Sequence, residues 1–402
     1  MAENSFLEFQ RLIHAPTEQV YRAFTSANAW QEWLCDVAEA APVVQGRLYW
    51  FWQQQQYYAC GHYVSLGPNE HVTFVWQGMG DPFVTQVHVV FMPAQSGTQL
   101  TLTHSGIPAD EAGARLRQAI REGWETGLEN LQSVLETGID LRVARLPFMG
   151  IMPAAPNTPE LAQSLGIPVS YGLQINGAVA GTGADAAGLQ RGDMLVEMAG
   201  AKLETFQSLA PILRQKQAGD NVPLTFYRGA EKHTIMLTLS ARPSPDVPDT
   251  APALAARLTE MYAQLDAELE AMLQGISEEL ANRSPTAEEW SIKQVLAHLL
   301  CGERDLQNWI TCEVVDTARA GFASNDPVRL NAAIATHGSV HALLAALKVA
   351  ESETVALVAG LPDAFVARKS AYLRIGQGVL FTPLHNHDHM EQIRAIMAAA
   401  PA

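Results

Sequence analysis

The sequence predicts a multidomain α+β protein. An antiparallel sheet closed by one long helix comes first, then a segment of strands with a tight glycine turn and a short helix, then an all-helical bundle. Three observations carry this reading. The chain has 402 residues with 48% hydrophobic content, enough for two to four domains that each bury a core. Apolar residues alternate loosely over the first hundred positions and then recur with helical spacing. Two seams interrupt the pattern, one at 140–146 after a long amphipathic stretch and one at 241–250, where Pro243, Pro245 and Pro248 make a semi-extended linker. The domains expected are 1–140, 145–242 and 251–402.

The first strand is expected from Phe6 to Ile13, with Leu7, Phe9 and Ile13 on one face because side chains alternate along a strand. Pro16 then opens a helix holding Val20, Tyr21 and Phe24. Strands follow at 47–52, 56–66, 71–77, 85–92 and 98–104, with turns at Gly67-Pro68-Asn69 and Gln95-Ser96-Gly97. Leu116, Ile120, Trp124, Leu128, Leu131 and Leu135 form one stripe of the closing helix. A curved sheet wrapped on that helix buries the stripe.

Ala15-Pro16 before Val20-Tyr21, Trp30 and Trp33, and Gly123-Trp124 before Leu128, Leu131 and Leu135 resemble the SRPBCC superfamily. The resemblance is to its branch related to the activator of the heat-shock-chaperone ATPase. It implies a helix-grip, START-like fold with an apolar small-molecule ligand held between sheet and helix. Tyr49, Trp50, Phe51, Trp52, Tyr57, Tyr58, Phe74 and Trp76 supply aromatic surface, of which strand alternation lets only part face inward.

In the middle segment, Ala184-Asp185-Ala186-Ala187-Gly188-Leu189-Gln190-Arg191-Gly192-Asp193-Met194-Leu195, followed by a strand and a helix from Phe206 to Arg214, resembles a PDZ domain of the bacterial protease-associated type. The resemblance implies a β-barrel-like fold that binds protein C-terminal peptides by strand addition. Phe148-Met149-Gly150-Ile151 would be the carboxylate loop and receiving strand, and Leu209 and Leu213 would face the peptide. Gly181-x-Gly183 lacks the spacing of a phosphate-cradling loop, and no Gly-x-Ser-x-Gly elbow occurs.

In the last segment, Ser291 and Gln294 have the spacing of a capping box that opens an apolar helix carrying His298. His385 and His389 are four apart, so on a helix they stack on one face while His387 points elsewhere. Two imidazoles one turn apart can share a divalent ion if a third ligand crosses the bundle, and His298 is the candidate. Trp290-Ser291, Ala297-His298-Leu299 and His385-x3-His389 before Glu391-Gln392-Ile393 resemble the DinB/YfiT-like family over about 252–400. That resemblance implies a four-helix bundle whose His298, His385 and His389 bind a divalent metal, nickel or zinc, with open positions for water. It also implies a metal-dependent hydrolase or a thiol-dependent S-transferase, and a homodimer.

No catalytic residue beyond the ligands is assigned, since Asn386 stands where a zincin would place its general-base Glu. Cys301, three residues after His298, is a candidate fourth ligand. Glu303 and Asp388 are candidate outer partners of a ligand imidazole, with a solvated surface position as the plainer reading. The alternative to an enzyme is a non-enzymatic adaptor or sensor that binds apolar small molecules and protein C-termini.

The net charge of −16, from 42 acidic and 26 basic residues, repels phosphate backbones and anionic membranes, so nucleic acid and membrane are not expected partners. Cys35, Cys60, Cys301 and Cys312 lie apart, which predicts reduced thiols and a cytoplasmic protein, and the PDZ resemblance implies a bacterial-type one. The start Met-Ala-Glu-Asn-Ser-Phe lacks a basic, apolar leader pattern, and no export is expected.

Overall fold

The computed structural model describes residues 6–81, 83–286, 289–318 and 321–398; the first five residues, on which the expectation about export turns, lie outside them. The chain divides into two compact units, 140–244 by itself and 1–139 together with 245–402.

In the larger unit a seven-stranded sheet runs in the order β1-β7-β6-β5-β4-β3-β2. Its strands are β1 (Phe6–Ile13), β2 (Val37–Ala40), β3 (Arg47–Trp52), β4 (Tyr57–Gly67), β5 (His71–Gly78), β6 (Thr85–Ala94) and β7 (Gly97–Ser105), each antiparallel to its neighbour. Leu7, Phe9 and Ile13 are buried together, as their alternation predicts. Helices α1 (Thr17–Arg22) and α2 (Ala27–Trp33) precede β2, and α3 (Glu111–Thr137) closes the sheet. Asp110 caps α3 by accepting from the Gly113 N–H, and Gly138 ends it at φ 83°, where a side chain would strain the backbone. Trp124, Leu128, Leu131 and Val134 are the buried stripe of that helix.

The space between sheet and helix is filled by rings. Trp30 lies against Phe24, Trp33, Trp50 and Phe74 at centroid distances of 5.2–5.9 Å, and Trp50 stacks on Trp76 at 4.7 Å. Burying an aromatic side chain of this size contributes roughly 1.5–3 kcal/mol.

The bundle consists of α4 (Ala251–Leu273), α5 (Ile292–Val314), α6 (Val340–Ala359) and α7 (Lys369–Ala398), with a shorter helix, Pro327–His337, against α5. Thr250, Ser291 and Ser339 cap the first three, and Ser291 with Gln294 forms the expected reciprocal box. Inside the bundle Glu303 is fully buried, accepting from Tyr262 of α4 at 2.8 Å and Thr354 of α6 at 2.9 Å. Nearby, burial and then the proximity of Asp266 and Glu303 push Glu351 up to about 10.

The sheet domain and the bundle meet through charge. Arg22 donates to Asp316 at 2.7 and 2.9 Å and to Glu32 at 3.2 and 3.3 Å, while Ser26 donates to Asp316 at 2.8 Å. Arg374, paired within the bundle with the buried Glu313 at 2.7 Å, lies 3.9 Å from Glu32 of the sheet domain, and Asn28 donates to the Thr317 carbonyl at 2.9 Å. Burial alone would lower the Arg22 pKa, but the adjacent Glu32 and Asp316 outweigh it and hold the cation above its ordinary value. Both connections to the smaller unit are anchored on the start of α7. Gly138 sits so close to Lys369 that an added Cβ would meet its carbonyl oxygen at 2.9 Å, Val247 packs on Gly376, and Tyr372 donates to the Pro248 carbonyl at 2.8 Å.

The smaller unit is built on a sheet of order β13-β12-β10-β9-β8, with β11 beside β10. Its strands are β8 (Ile151–Pro156), β9 (Leu173–Ala178), β10 (Met194–Met198), β11 (Ala201–Lys202), β12 (Asn221–Arg228) and β13 (Glu231–Thr238). The helix expected over 206–214 is a 3-10 turn, Phe206–Ser208, running into a short α-helix, Leu209–Leu213. Asp193 is buried and paired with Arg228 at 2.8 Å, which ties the glycine turn to β12.

Candidate metal centre

His298 is placed by the box that starts α5, and the same start holds the Trp290 ring 5.0 Å from His298 and nearly parallel to His389 at 6.2 Å. His385 and His389 project from one face of α7, one turn apart. Pro383 lies inside that helix and has no N–H for the preceding turn, while Thr382 donates to the Gly378 carbonyl at 3.1 Å. One ligand-capable atom from each of His298, His385 and His389 comes within 4.8 Å of the others.

Hydrogen bonds fix which nitrogens face inward. Nδ1 of His298 is 3.2 Å from the Ser324 carbonyl and Nδ1 of His389 is 2.9 Å from Oε1 of Gln392. A carbonyl oxygen only accepts, so these Nδ1 atoms carry protons, and in the neutral tautomer of each ring this leaves the lone pair on Nε2. Both lone pairs point at Nε2 of His385, at 3.4 Å from His298 and 3.2 Å from His389. That atom bears at most one hydrogen, which satisfies one neighbour. At least one of the two lone pairs is therefore left without a donor, and if that atom bears no hydrogen all three lone pairs face one another. Burial, joined by the neighbouring imidazoles, holds His298 and His385 below the ordinary histidine pKa, which disfavours relief by protonation.

Beside the imidazoles lies a cavity of about 140 Å³, lined by Leu299, Gly302, Leu306 and Phe322 and, on α7, by Thr382 and Asn386. His298 is buried, His389 is half-buried and His385 is exposed, so the cluster has access from solvent.

Other expected site residues fall elsewhere. Cys301 is not a member of the three-histidine cluster; it is buried in the bundle core, where burial raises its thiol pKa. Glu303 is neither solvated nor beside an imidazole. Five residues on from His298, it points about 140° around the helix and into the core network. Asp388 is exposed, as its plainer reading expects, and its charge acts on His385.

In the smaller unit, Met149 and Leu209 are core residues, whereas Phe148, Ile151 and Leu213 are half-buried. The Phe148 backbone exchanges hydrogen bonds with Ser240 at 2.8 and 2.9 Å. Gly150 adopts φ 77° against Thr182, a position that a side chain could not occupy. Sequence reasoning missed Ser324 and Asn386. The first acts through its backbone, which leaves no residue-type signal, and the second stands out only once the face of α7 lining the cavity is known.

Two stretches of the chain match known families. Residues 14–136 match the family of activator of Hsp90 ATPase homolog 1-like proteins, and residues 257–393 match the DinB superfamily. The chain therefore joins a domain of the first, SRPBCC-like kind to a helical domain of the second. Among curated proteins, a probable periplasmic serine endoprotease DegP-like from Marinomonas sp. (strain MWYL1) is 35% identical over 85 residues, which are 21% of this chain and 18% of that protein. This chain thus spans under a fifth of that relative. Among solved structures, protein MLL2253 from Mesorhizobium loti is 23% identical, covering 33% of this chain and 96% of its own with a TM-score of 0.30. PFC0360w, described as an HSP90 activator from Plasmodium falciparum, is 22% identical over 33% of this chain and 96% of its own, with a TM-score of 0.29. Among the described residues no helix is long and apolar enough to cross a membrane.

Proposed function

We propose that the bundle holds one divalent metal ion on the Nε2 atoms of His298, His385 and His389 and acts on a small substrate in the adjoining cavity. The observation that carries this is the meeting of three imidazole nitrogens whose hydrogen bonds leave at least one lone pair without a donor. A cation accepts that lone pair. Tetrahedral zinc with Zn–N bonds of about 2.0–2.1 Å has N···N edges of about 3.3–3.4 Å, and the two measured Nε2 separations are 3.2 and 3.4 Å. The three imidazoles suit a divalent ion such as nickel or zinc. Ser324 and Gln392 would orient the ligand rings, and Trp290 would shield one side of them.

With three protein ligands, a bound metal supplies an open position that polarises a carbonyl or lowers the pKa of a water. A metal-dependent hydrolase or thiol-dependent transferase is the activity class that fits. Elemental analysis of untagged protein should find close to one metal per chain, and His389→Ala should lose most of it while keeping its helical circular dichroism. Substoichiometric metal unaltered by the substitution would refute the site.

A second reading, in which the smaller unit is a PDZ module that takes C-terminal peptides, is favoured by the position of β8 at one edge of its sheet. Ile151, Leu213 and Phe148 would meet the peptide, with Met149 and Leu209 supporting them from the core and Gly150 allowing the loop to turn. In the sheet domain an apolar ligand would enter at the half-buried Trp52, Tyr57 and Trp76, at the margin of the packed rings. On these readings the chain would bring ligand and peptide recognition alongside the bundle site; without a metal, what remains is the adaptor.

A further inference from the structure

Asn386 follows His385 on α7 and lines the cavity. It is 4% exposed, yet its side-chain amide makes no hydrogen bond to any described residue. Its amide atoms are open to the cavity rather than sealed in the core, so a ligand there can hydrogen-bond them without displacing a protein partner. Apolar walls come from Leu299, Leu306 and Phe322, Ser324 and the two imidazoles lie on the remaining side, and the Thr382 hydroxyl is spent on the Gly378 carbonyl. Among the described residues lining the cavity there is no Asp, Glu, Lys or Arg. In the metal-free cavity an anion would lose its hydration with no cationic side chain to meet it. The volume of about 140 Å³ is of the size that accepts a benzene-sized body, roughly six non-hydrogen atoms.

We propose that Asn386 is the substrate-recognition residue of this site, and that the substrate is a small molecule with an apolar body and a carboxamide or similar carbonyl group. A carboxamide is the complement of the Asn386 side chain, since each offers an N–H donor and a carbonyl acceptor to the other. The inference builds on the reading of the histidines as a metal centre. The carbonyl held by Asn386 would lie beside His298 and His385, where an open coordination position would polarise it.

The test uses the full chain, as purified and after treatment with EDTA, with butyramide and butyrate as probes followed by NMR line broadening. The treated protein should bind butyramide about tenfold more tightly than butyrate, the worth of about 1.4 kcal/mol. Asn386→Ala and the isosteric Asn386→Asp should each lose about that factor for butyramide while the metal content of the purified protein stays unchanged. Equal binding of the two probes, or butyramide affinity unmoved in either folded variant, overturns the assignment. Amide selectivity that depends on Asn386 in a protein that takes up no metal would uphold the recognition residue and sink the metal reading, so the two fail separately.

Discussion

His104 is a buried imidazole whose proton is placed by its neighbours. Trp124 donates to its Nδ1 at 2.9 Å, so the hydrogen sits on Nε2 and is given to Thr85 at 2.8 Å; Thr85 in turn donates to the Trp76 carbonyl at 2.9 Å. A second proton has no acceptor there, and burial lowers the pKa to about 3. Unfolded, the ring titrates near 6.5, so between the two values the unfolded chain binds more protons and stability falls as the pH falls. Urea denaturation should show the wild type losing about 2 kcal/mol more than His104→Asn between pH 7 and pH 5; an equal loss would place the ring in a different protonation state. His104 carries no sequence signal beyond its place in a strand. His385 and His389 were legible as a pair because positions four apart share one helix face. Asn386 was read only for what it is not, and its role needs the cavity to be seen.

At the end of α5, Asp316 adopts φ 56°, the left-handed conformation that Asn and Asp tolerate best among residues with side chains. That turn aims its carboxylate at Arg22 and Ser26 of the sheet domain. Burial works against the charge, but Arg22 outweighs it and holds the Asp316 pKa below the usual carboxylate value. The stabilisation is then complete above the unfolded pKa near 3.9 and is lost as the pH falls through the lower folded value. Asp316→Asn keeps the shape and the backbone preference while removing the charge. It should cost about 2–3 kcal/mol in chemical denaturation at pH 7, with the deficit vanishing in strong acid; an unchanged midpoint would mean that the contact contributes nothing. Most strands and the long closing helix were legible from period alone. Strand β2 and helix α2 were not, because four residues at a sheet edge and seven around two tryptophans are too short for a period to declare itself.

For the whole molecule, the docking of the first segment on the last was hidden from the sequence. Arg22 and Asp316 are 294 positions apart and each looks like a solvated charge, so no local pattern links them. Docking makes the smaller unit an insertion between two points on one helix. From Lys369 to Gly376 is seven residues, roughly 10 Å along the helix axis. Replacing residues 140–244 by a Gly/Ser linker of about eight residues, which reaches up to about 26–28 Å, should leave a soluble protein. Its thermal midpoint should match the larger unit of the full chain within a few degrees, and its metal content should be unchanged. Aggregation, or a midpoint lower by more than about 10 °C, would show that unit to need the insert.

The charge network also sets an order in time. Arg22 leaves the ribosome early, while Arg368, 3.8 Å from Asp316 in the finished protein, follows 346 residues later. At about 5–20 residues per second the sheet domain waits roughly 15–70 s for the last part of its partner surface. During that interval Arg22 and Glu32 can pair with each other in water, so the unfinished face stays polar and is guarded against sticking to other nascent chains.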